Sequence, residues 1–514
     1  MTGERVGDLL RAAATEERTG WSAGERRISY AEMDQRSDRI ATGLLRLGVR
    51  HGDRIALNDF TTPGWLAVYF GAAKIGAVVV GLSVRYRDSE IAHILGDSGA
   101  RSVFTVPSAG DVDFLGILAR ARGALPQLRE VVSIGTGGDR TLADLEAVPP
   151  DAARLAAAGA LVAPDDPVMI IYTSGTTGRP KGATLTHRGQ LAAATAQARH
   201  MRLGPGDVLP ITVPLNHVSG ITCCVLAALT ARARTVLLPA FSPSAALELL
   251  KTSGLTVWVG VPTMHTLLLE TPGIDTADTS GVRLVVTGGA NAEPALLRRL
   301  TRAFPNATVM NLYGLSETSG AVVMTPWDSD PESTVRSIGR PLPGVQAKIV
   351  NTDGSDADPG TTGELLVRTP SVMAGYHGLT AETARTVSGD GWLHTGDMAR
   401  IDDGLLTLRG RRQEMFVQGG FNVYPIEVEN VLAAHPEVVM AAGIGVPDPV
   451  LGEIGRYYAV LVPGARTTPQ DLKDHCAASI ADYKVPKQIV IRTDLPLTPA
   501  GKVQKDRLRT EGAR

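Results

Sequence analysis

Residues 172–184 read YTSGTTGRPKGAT, a run of hydroxyl groups and glycines followed by a lysine, set on the end of the apolar run Val168, Met169, Ile170, Ile171. Such a composition can cradle phosphates. Ser174, Thr176 and Thr177 offer hydroxyls, Gly175 and Gly178 can take positive φ, and Lys181 brings a mobile charge. It is not the G-x-x-x-x-G-K-[ST] loop, however. Counted from Gly175, the second glycine of that pattern falls on Pro180, which has no N–H to give a phosphate, and Gly182 stands where the pattern closes on Ser or Thr. Four further segments place a charged side chain among glycines and hydroxyls: 311–320 (NLYGLSETSG), 390–397 (DGWLHTGD), 410–425 (GRRQEMFVQGGFNVYP) and 495–505 (LPLTPAGKVQK). GLSET is no nucleophile elbow, since G-x-S-x-G needs glycine where Thr318 stands. The His and Cys residues show neither HExxH nor CxxC metal spacing.

Groups so distant in sequence meet only if a rigid scaffold carries them on its loops. Short β-branched runs (54–57, 102–105, 235–238, 284–287) alternate with amphipathic stretches (30–47, 242–251), which predicts an α/β fold of helices over mainly parallel sheets. From 339 to 411 the texture changes to short strands and turns, a small β subdomain. The remaining segment has its own αβ pattern and reads as a small α+β C-terminal domain. Domains 1–410 and 411–514 are therefore expected, with a hinge near 411–414; 514 residues exceed what one core accommodates. Segment 65–84 carries a single charge, Lys74, yet its Gly and Ala content and strand-like second half predict a buried helix and strand rather than a membrane span. The 51 basic and 53 acidic side chains leave no electrostatic footprint for nucleic acid or anionic membrane. Three cysteines, Cys223, Cys224 and Cys476, cannot build a disulfide framework, and the N-terminus lacks an apolar h-region, so a cytoplasmic location is expected.

Taken together and in this order, the segments resemble the adenylate-forming superfamily of acyl-CoA synthetases, luciferases and peptide-synthetase adenylation domains; 172–182 matches its signature [YF]TSGTTGxPKG in full. The resemblance covers nearly the whole chain and implies two steps. A carboxylate attacks the α-phosphate of ATP to give acyl-adenylate and pyrophosphate, then a thiol, usually of CoA, displaces AMP. The carboxylate is already ionised at neutral pH, so the first step needs positioning and charge neutralisation rather than a base. By this likeness Thr173, Ser174, Gly175, Thr176, Thr177 and Lys181 hold the outer phosphates, and Glu317 helps coordinate Mg²⁺, with Ser316 before it in place of the commoner Thr. Tyr313 stacks on adenine against the backbone of Gly288, Gly289 and Ala290, in a stretch where Asn311 and Gly314 also belong to the nucleotide site. Asp397 grips the ribose with help from Arg411. Lys502 bridges the α-phosphate and the substrate carboxylate, and the C-terminal domain then rotates to present Gly419 and Gly420 to the thiol channel. The pivot, usually Asp or Lys, is Gln413 here.

Segment 214–220 (PLNHVSG) resembles the family's PLxHxxG, which puts His217 beside the acyl carboxylate. Leu312 stands where dicarboxylate-selective relatives carry arginine, and no aspartate near His217 would receive an α-amino group, so an apolar acid is expected. The implied walls, Val218, Gly220, Val261, Gly289, Ala290, Leu312, Gly314, Ser319 and Gly320, contain many small residues. They suggest a roomy pocket for a medium-chain, alicyclic or aromatic acid. The expected activity is an acyl-CoA ligase using ATP, Mg²⁺ and CoA. The alternative is delivery to an amine or to a carrier protein, a separate partner because no carrier domain precedes Arg514. A non-catalytic binding paralogue is disfavoured by the presence of Lys181, Glu317, Asp397 and Lys502 together.

Overall fold

A computed structural model of the chain describes residues 5–173, 180–498 and 501–511. The 65–84 segment shows how local sequence sets the core. Thr62 caps the helix Pro63–Lys74, its side chain accepting from Trp65 N, and Pro63 occupies the first turn, where no N–H is needed. Gly76, at φ +70°, turns the chain into the buried strand Val78–Leu82. Lys74, the lone charge, lies 2.6 Å from Asp34 and 2.7 Å from Asp38, the pairing a buried ammonium requires. Among the described residues no helix is long and apolar enough to cross a membrane. The 30–47 pattern forms the helix Tyr30–Arg46, opened by a capping box of Ser29 and Glu32, and 242–251 forms Pro243–Thr252 behind the N-cap Ser242.

Val78–Leu82 lies inside an eight-stranded sheet that is parallel from Pro167–Thr173 through Arg54–Asn58 and Ser102–Thr105 to Arg140–Thr141. At its other edge Lys181–Thr186 and Gly375–Tyr376 add antiparallel. A five-stranded sheet repeats the plan. Val257–Gly260, Leu284–Gly288 and Thr308–Leu315 run parallel, and Gly320–Met324 and Arg340–Pro341 add antiparallel. The sheets are thus mixed rather than uniformly parallel, and two of the glycine-rich motifs connect strands where chain direction reverses. A third sheet sets Thr19–Ala23 and Arg26–Ser29 beside Arg234–Leu237 and Val208–Ile211.

Segment 339–411 holds an antiparallel meander, Gln346–Val350, Gly363–Arg368, Leu393–Asp402 and Leu405–Arg411. Beyond it Phe416–Gln418, Phe421–Val423, Val438–Asp448, Gly452–Leu461 and Gln488–Arg492 form a separate sheet, covered by the helices Pro425–Ala433 and Pro469–Ala477 around a core of Phe416, Val428, Leu432, Tyr457 and Leu472. The fold is mixed α/β with a distinct C-terminal sheet.

Candidate active site

The register of the meander sets Asp397 opposite Arg411. Arg411 Nε lies 3.0 Å from one Asp397 oxygen, and the hydroxyl of Tyr313, on the central strand Thr308–Leu315 of the five-stranded sheet, donates to the other at 2.7 Å. Asp397 is buried and Arg411 half-exposed; the carboxylate raises the Arg411 pKa above its ordinary value, and burial followed by the Asp397 charge holds the Tyr313 hydroxyl well above its own. The Tyr313 ring is 8% exposed and packs with Val322, Val323, Leu365 and Leu393. Beside it, Gly288 pairs in register with Leu312, where an added methyl would lie 2.5 Å from the Leu312 carbonyl; Gly289 follows at φ +81°, and Ala290 is exposed.

Both amide hydrogens of Asn311 are spent on the carbonyls of Thr334 (2.8 Å) and Ser337 (2.9 Å), so it secures the helix Pro331–Arg336 and keeps its oxygen for a nucleotide. Ser316 is buried in the 3₁₀ turn Ser316–Thr318, which Thr318 Oγ ties by accepting from Leu315 N and donating to Gly320 O. Glu317, on the same turn, accepts 2.8 Å from the hydroxyl of Tyr376. Lys181 opens its strand opposite Thr173 and is 8% exposed. Its Nζ is paired with Glu382 on the helix Thr380–Thr386 and sits 5.5 Å from the Tyr376 ring centre. Ser174, Gly175, Thr176 and Thr177 lie outside the described residues.

Lys502 reaches this site from the C-terminal segment. Its backbone N–H is held by Thr498 Oγ at 3.0 Å, while the preceding Gly501, at φ +80°, accepts 2.9 Å from Thr263 Oγ and abuts Val261, where a methyl on Gly501 would come within 3.1 Å of Cγ2. A methyl on Gly289 would lie 4.0 Å from Lys502 Cε. Burial and the Arg411 charge lower the lysine pKa, and Asp397 and Glu317 oppose the shift, so residues from four separate motifs share one electrostatic neighbourhood. His217 belongs to it too. Its Nδ1 lies 2.8 Å from Ser219 Oγ and accepts from Ser219 N, capping the turn Val218–Gly220, and burial with the Lys502 charge depresses its pKa to about 3. The imidazole is therefore neutral at physiological pH. A second tie between the segments runs from Asn291 Nδ2 to Asn430 Oδ1 at 2.8 Å.

Two of the small residues expected in the acyl pocket are required by the backbone itself: a methyl on Gly220 would meet Pro214 O at 2.2 Å and one on Gly314 would meet Gly320 O at 2.1 Å, so both glycines answer to close packing of the chain. Ser319 is fully buried at φ +57°, its hydroxyl towards Gly189 of the helix His187–His200. Val218, Val261, Leu312, Gly289 and Gly320 remain as wall candidates. Gly320 looks onto Thr222 and Cys223, from which a methyl would be 3.2 and 3.3 Å away. These two lie on the π-helical segment Ile221–Leu226, which sequence reasoning missed because no local pattern marks it. Gly419 and Gly420 form the two-residue turn of the hairpin Phe416–Gln418 and Phe421–Val423, at φ +59° and +87°. That turn bonds to Leu451, and a methyl on Gly420 would meet open space. Gln413 is exposed.

His265 was also missed. It holds the helix Pro262–Leu269, and with it Thr263 and Val261, against the sheet: Nδ1 accepts from Trp258 Nε1 at 3.1 Å and Nε2 faces Val286 O at 3.3 Å. Burial lowers its pKa from 6.5 to about 4. The unfolded chain then binds a proton that the folded one refuses, so the His265 contribution is complete above pH 6.5 and is lost as pH falls towards 4. Urea unfolding should show wild-type stability falling more steeply between pH 6 and 5 than that of His265→Gln, by about 1.2 kcal/mol over that unit. Equal slopes would contradict the assignment.

The sequence profile described as AMP-binding enzyme matches residues 10–377, and that described as AMP-binding enzyme C-terminal domain matches 427–502. The chain is 35% identical over 498 residues to 3-[(3aS,4S,7aS)-7a-methyl-1,5-dioxo-octahydro-1H-inden-4-yl]propanoyl:CoA ligase of Mycobacterium tuberculosis, covering 96% of each chain. It is 33% identical over 494 residues to the fatty acid–[acyl-carrier-protein] ligase ScoC of Streptomyces coeruleorubidus, covering 94% of this chain and 91% of the other. Among solved structures it superimposes on ATP-bound MatB of Rhodopseudomonas palustris with a TM-score of 0.89 (29% identity, 98% of each chain) and on apo MatB with 0.76 (30% identity, 98% of each chain). The chain belongs to the AMP-binding, adenylate-forming enzyme family, and within it is most like the acyl-CoA ligases.

Proposed function

We propose that the enzyme is an ATP-dependent acyl-CoA ligase acting on an apolar carboxylic acid. The substrate carboxylate oxygen attacks the α-phosphorus as its bond to pyrophosphate breaks; the CoA thiolate then attacks the acyl carbon and AMP leaves. The observation that carries this reading is the position of Lys502, brought by the C-terminal segment against Gly289 and into the field of Asp397, Arg411 and Glu317. A compact ammonium there can meet both the α-phosphate and the incoming carboxylate. The better superposition on the ATP-bound relative supports an adenylating arrangement.

In this scheme Asp397 and Arg411 bind the ribose, Tyr313 and the Gly288–Ala290 backbone border the base, and Lys181, Thr173 and the hydroxyls of 174–177 take the outer phosphates. Glu317 fits Mg²⁺, which prefers one or two carboxylates plus substrate phosphates to an all-protein cage; when bound, the ion neutralises phosphate charge. Residues 411–514 would then pivot near Gln413 to bring Gly419 and Gly420 to the thiol. His217, uncharged, lines the acyl end without a cation's demand for a counter-ion.

Val218, Val261, Leu312 and Cys223 present apolar groups, and a relative that shares 35% identity acts on an alicyclic propanoate, which favours an alicyclic, aromatic or medium-chain acid here. Pyrophosphate release should follow with such acids and not with dicarboxylic acids, and thioester should form with CoA. Turnover with a pantetheinylated carrier protein but not CoA would favour the second reading, which rests on the carrier-protein ligase among the relatives. In His217→Ala the KM for the acid should rise roughly tenfold, the equivalent of one buried contact, with ATP binding unchanged. A change confined to ATP affinity would remove His217 from the acyl site.

A further inference from the structure

Lys181 is almost fully buried, and burial of an ammonium demands a counter-charge. Glu382 supplies it from the helix Thr380–Thr386, 201 residues further along the chain. That carboxylate has a second cationic partner: Arg385, one turn on and largely exposed, lies 3.1 Å from the other oxygen. The aromatic ring of Tyr376 underlies Lys181, and the Tyr376 hydroxyl holds Glu317. Tyr376 is fixed in turn, because its strand pairs with the Lys181 strand, Ala183 opposite Tyr376, and its backbone N–H bonds to Thr383 Oγ at 2.9 Å.

We propose that Glu382 is the resident counter-ion of Lys181, displaced by nucleotide phosphate, and that it thereby sets the affinity for ATP and the ease of pyrophosphate release. The inference rests on the reading of Lys181 as a phosphate-binding residue. When phosphate arrives, its negative charge repels Glu382, Lys181 exchanges one anion for another without ever being buried unpaired, and Glu382 keeps Arg385. When pyrophosphate departs, Glu382 recaptures the lysine, so the carboxylate competes with the product at the moment of release. Tyr376 keeps the ammonium in line in both states.

Isothermal titration of the full-length enzyme with inorganic pyrophosphate, and separately with ATP in the absence of acid, tests this. Glu382→Gln preserves size and removes the competing charge, so binding should tighten on the order of tenfold, the scale of one charge-assisted contact. Arg385→Ala frees Glu382 to hold Lys181 more firmly, and binding should weaken by roughly two- to threefold. Opposite signs from two neighbouring variants are not expected of a purely structural ion pair. Unchanged or weaker binding in a Glu382→Gln protein with native thermal melting would overturn the proposal, and should that variant fail to fold, the sign of the Arg385→Ala effect decides. Lys181→Met separates the layers: if it leaves pyrophosphate affinity intact, the phosphate reading of Lys181 is itself wrong. If it weakens binding while Glu382→Gln does not tighten it, only the counter-ion role fails.

Discussion

Replacing Lys502 with alanine should slow acyl-adenylate formation by about 10²-fold or more, the range expected when one preorganised charge donor is lost from a transition state, while thioester formation from supplied acyl-adenylate stays near the wild-type rate. The asymmetry follows from where the residue sits. Its backbone is anchored independently of its side chain, through Gly501 O to Thr263 and through its own N–H to Thr498, so alanine should leave the turn docked. What disappears is an ammonium beside Gly289, balanced between Arg411 on one side and Asp397 and Glu317 on the other. Burial and Arg411 lower its pKa while Asp397 and Glu317 oppose the shift, and a positive charge placed in so poorly hydrated a site would act strongly on a phosphorus under attack. Pyrophosphate release measures the first half-reaction, and thioester yield from synthetic acyl-adenylate the second. Equal losses in both would mean that Lys502 serves both steps from one position, and the proposal that residues 411–514 alternate between two would have to be abandoned.

The fold was legible where hydrophobic period and capping chemistry act locally. Ser29 with Glu32, Thr62 with Pro63, and Ser242 with Pro243 are start signals carried within a few residues, and the helices begin where those signals fall. The mixed character of the sheets was not legible in full: Lys181–Thr186 folds back on the preceding strand Pro167–Thr173, but the antiparallel addition of Gly375–Tyr376 is decided by a partner almost two hundred residues away. The same limit runs through the site. The motifs supplied Asp397, Arg411, Glu317 and Lys502, and these do converge; nothing in the motifs announced that Tyr313 would bond to Asp397, that Glu382 would occupy Lys181, or that Asn311 would spend its donors on backbone. At Gly220 and Gly314 composition alone does not distinguish a glycine that leaves room for a ligand from one that lets two backbones approach, and a side chain at either would meet the carbonyl of Pro214 or of Gly320.

The second large effect is expected at Asp397. Among the described residues each of its oxygens has one partner, the Tyr313 hydroxyl on one and the Arg411 guanidinium on the other, and an ionised carboxylate oxygen accepts two hydrogen bonds. Each therefore keeps one acceptor position, a geometry matched to the two adjacent hydroxyls of a ribose, with Tyr313 and Arg411 fixing the plane of the carboxylate before any nucleotide arrives. Asp397→Ala should raise the ATP dissociation constant by roughly 10²-fold, from two charge-assisted hydrogen bonds of about 1.5 kcal/mol each. It should also lower folding stability by about 1–3 kcal/mol, because the buried Tyr313 hydroxyl loses its acceptor. Tyr313→Phe removes the supporting bond alone and should weaken ATP by only about fivefold, near 1 kcal/mol. A thermodynamic cycle with the ligand separates binding from folding. In the wild type, 2′-deoxy- and 3′-deoxy-ATP should each bind more weakly than ATP, whereas in Asp397→Ala those penalties should vanish. If the deoxy penalties persist undiminished in the variant, the ribose is held elsewhere, and Asp397 is only the anchor that keeps Tyr313 and Arg411 in place.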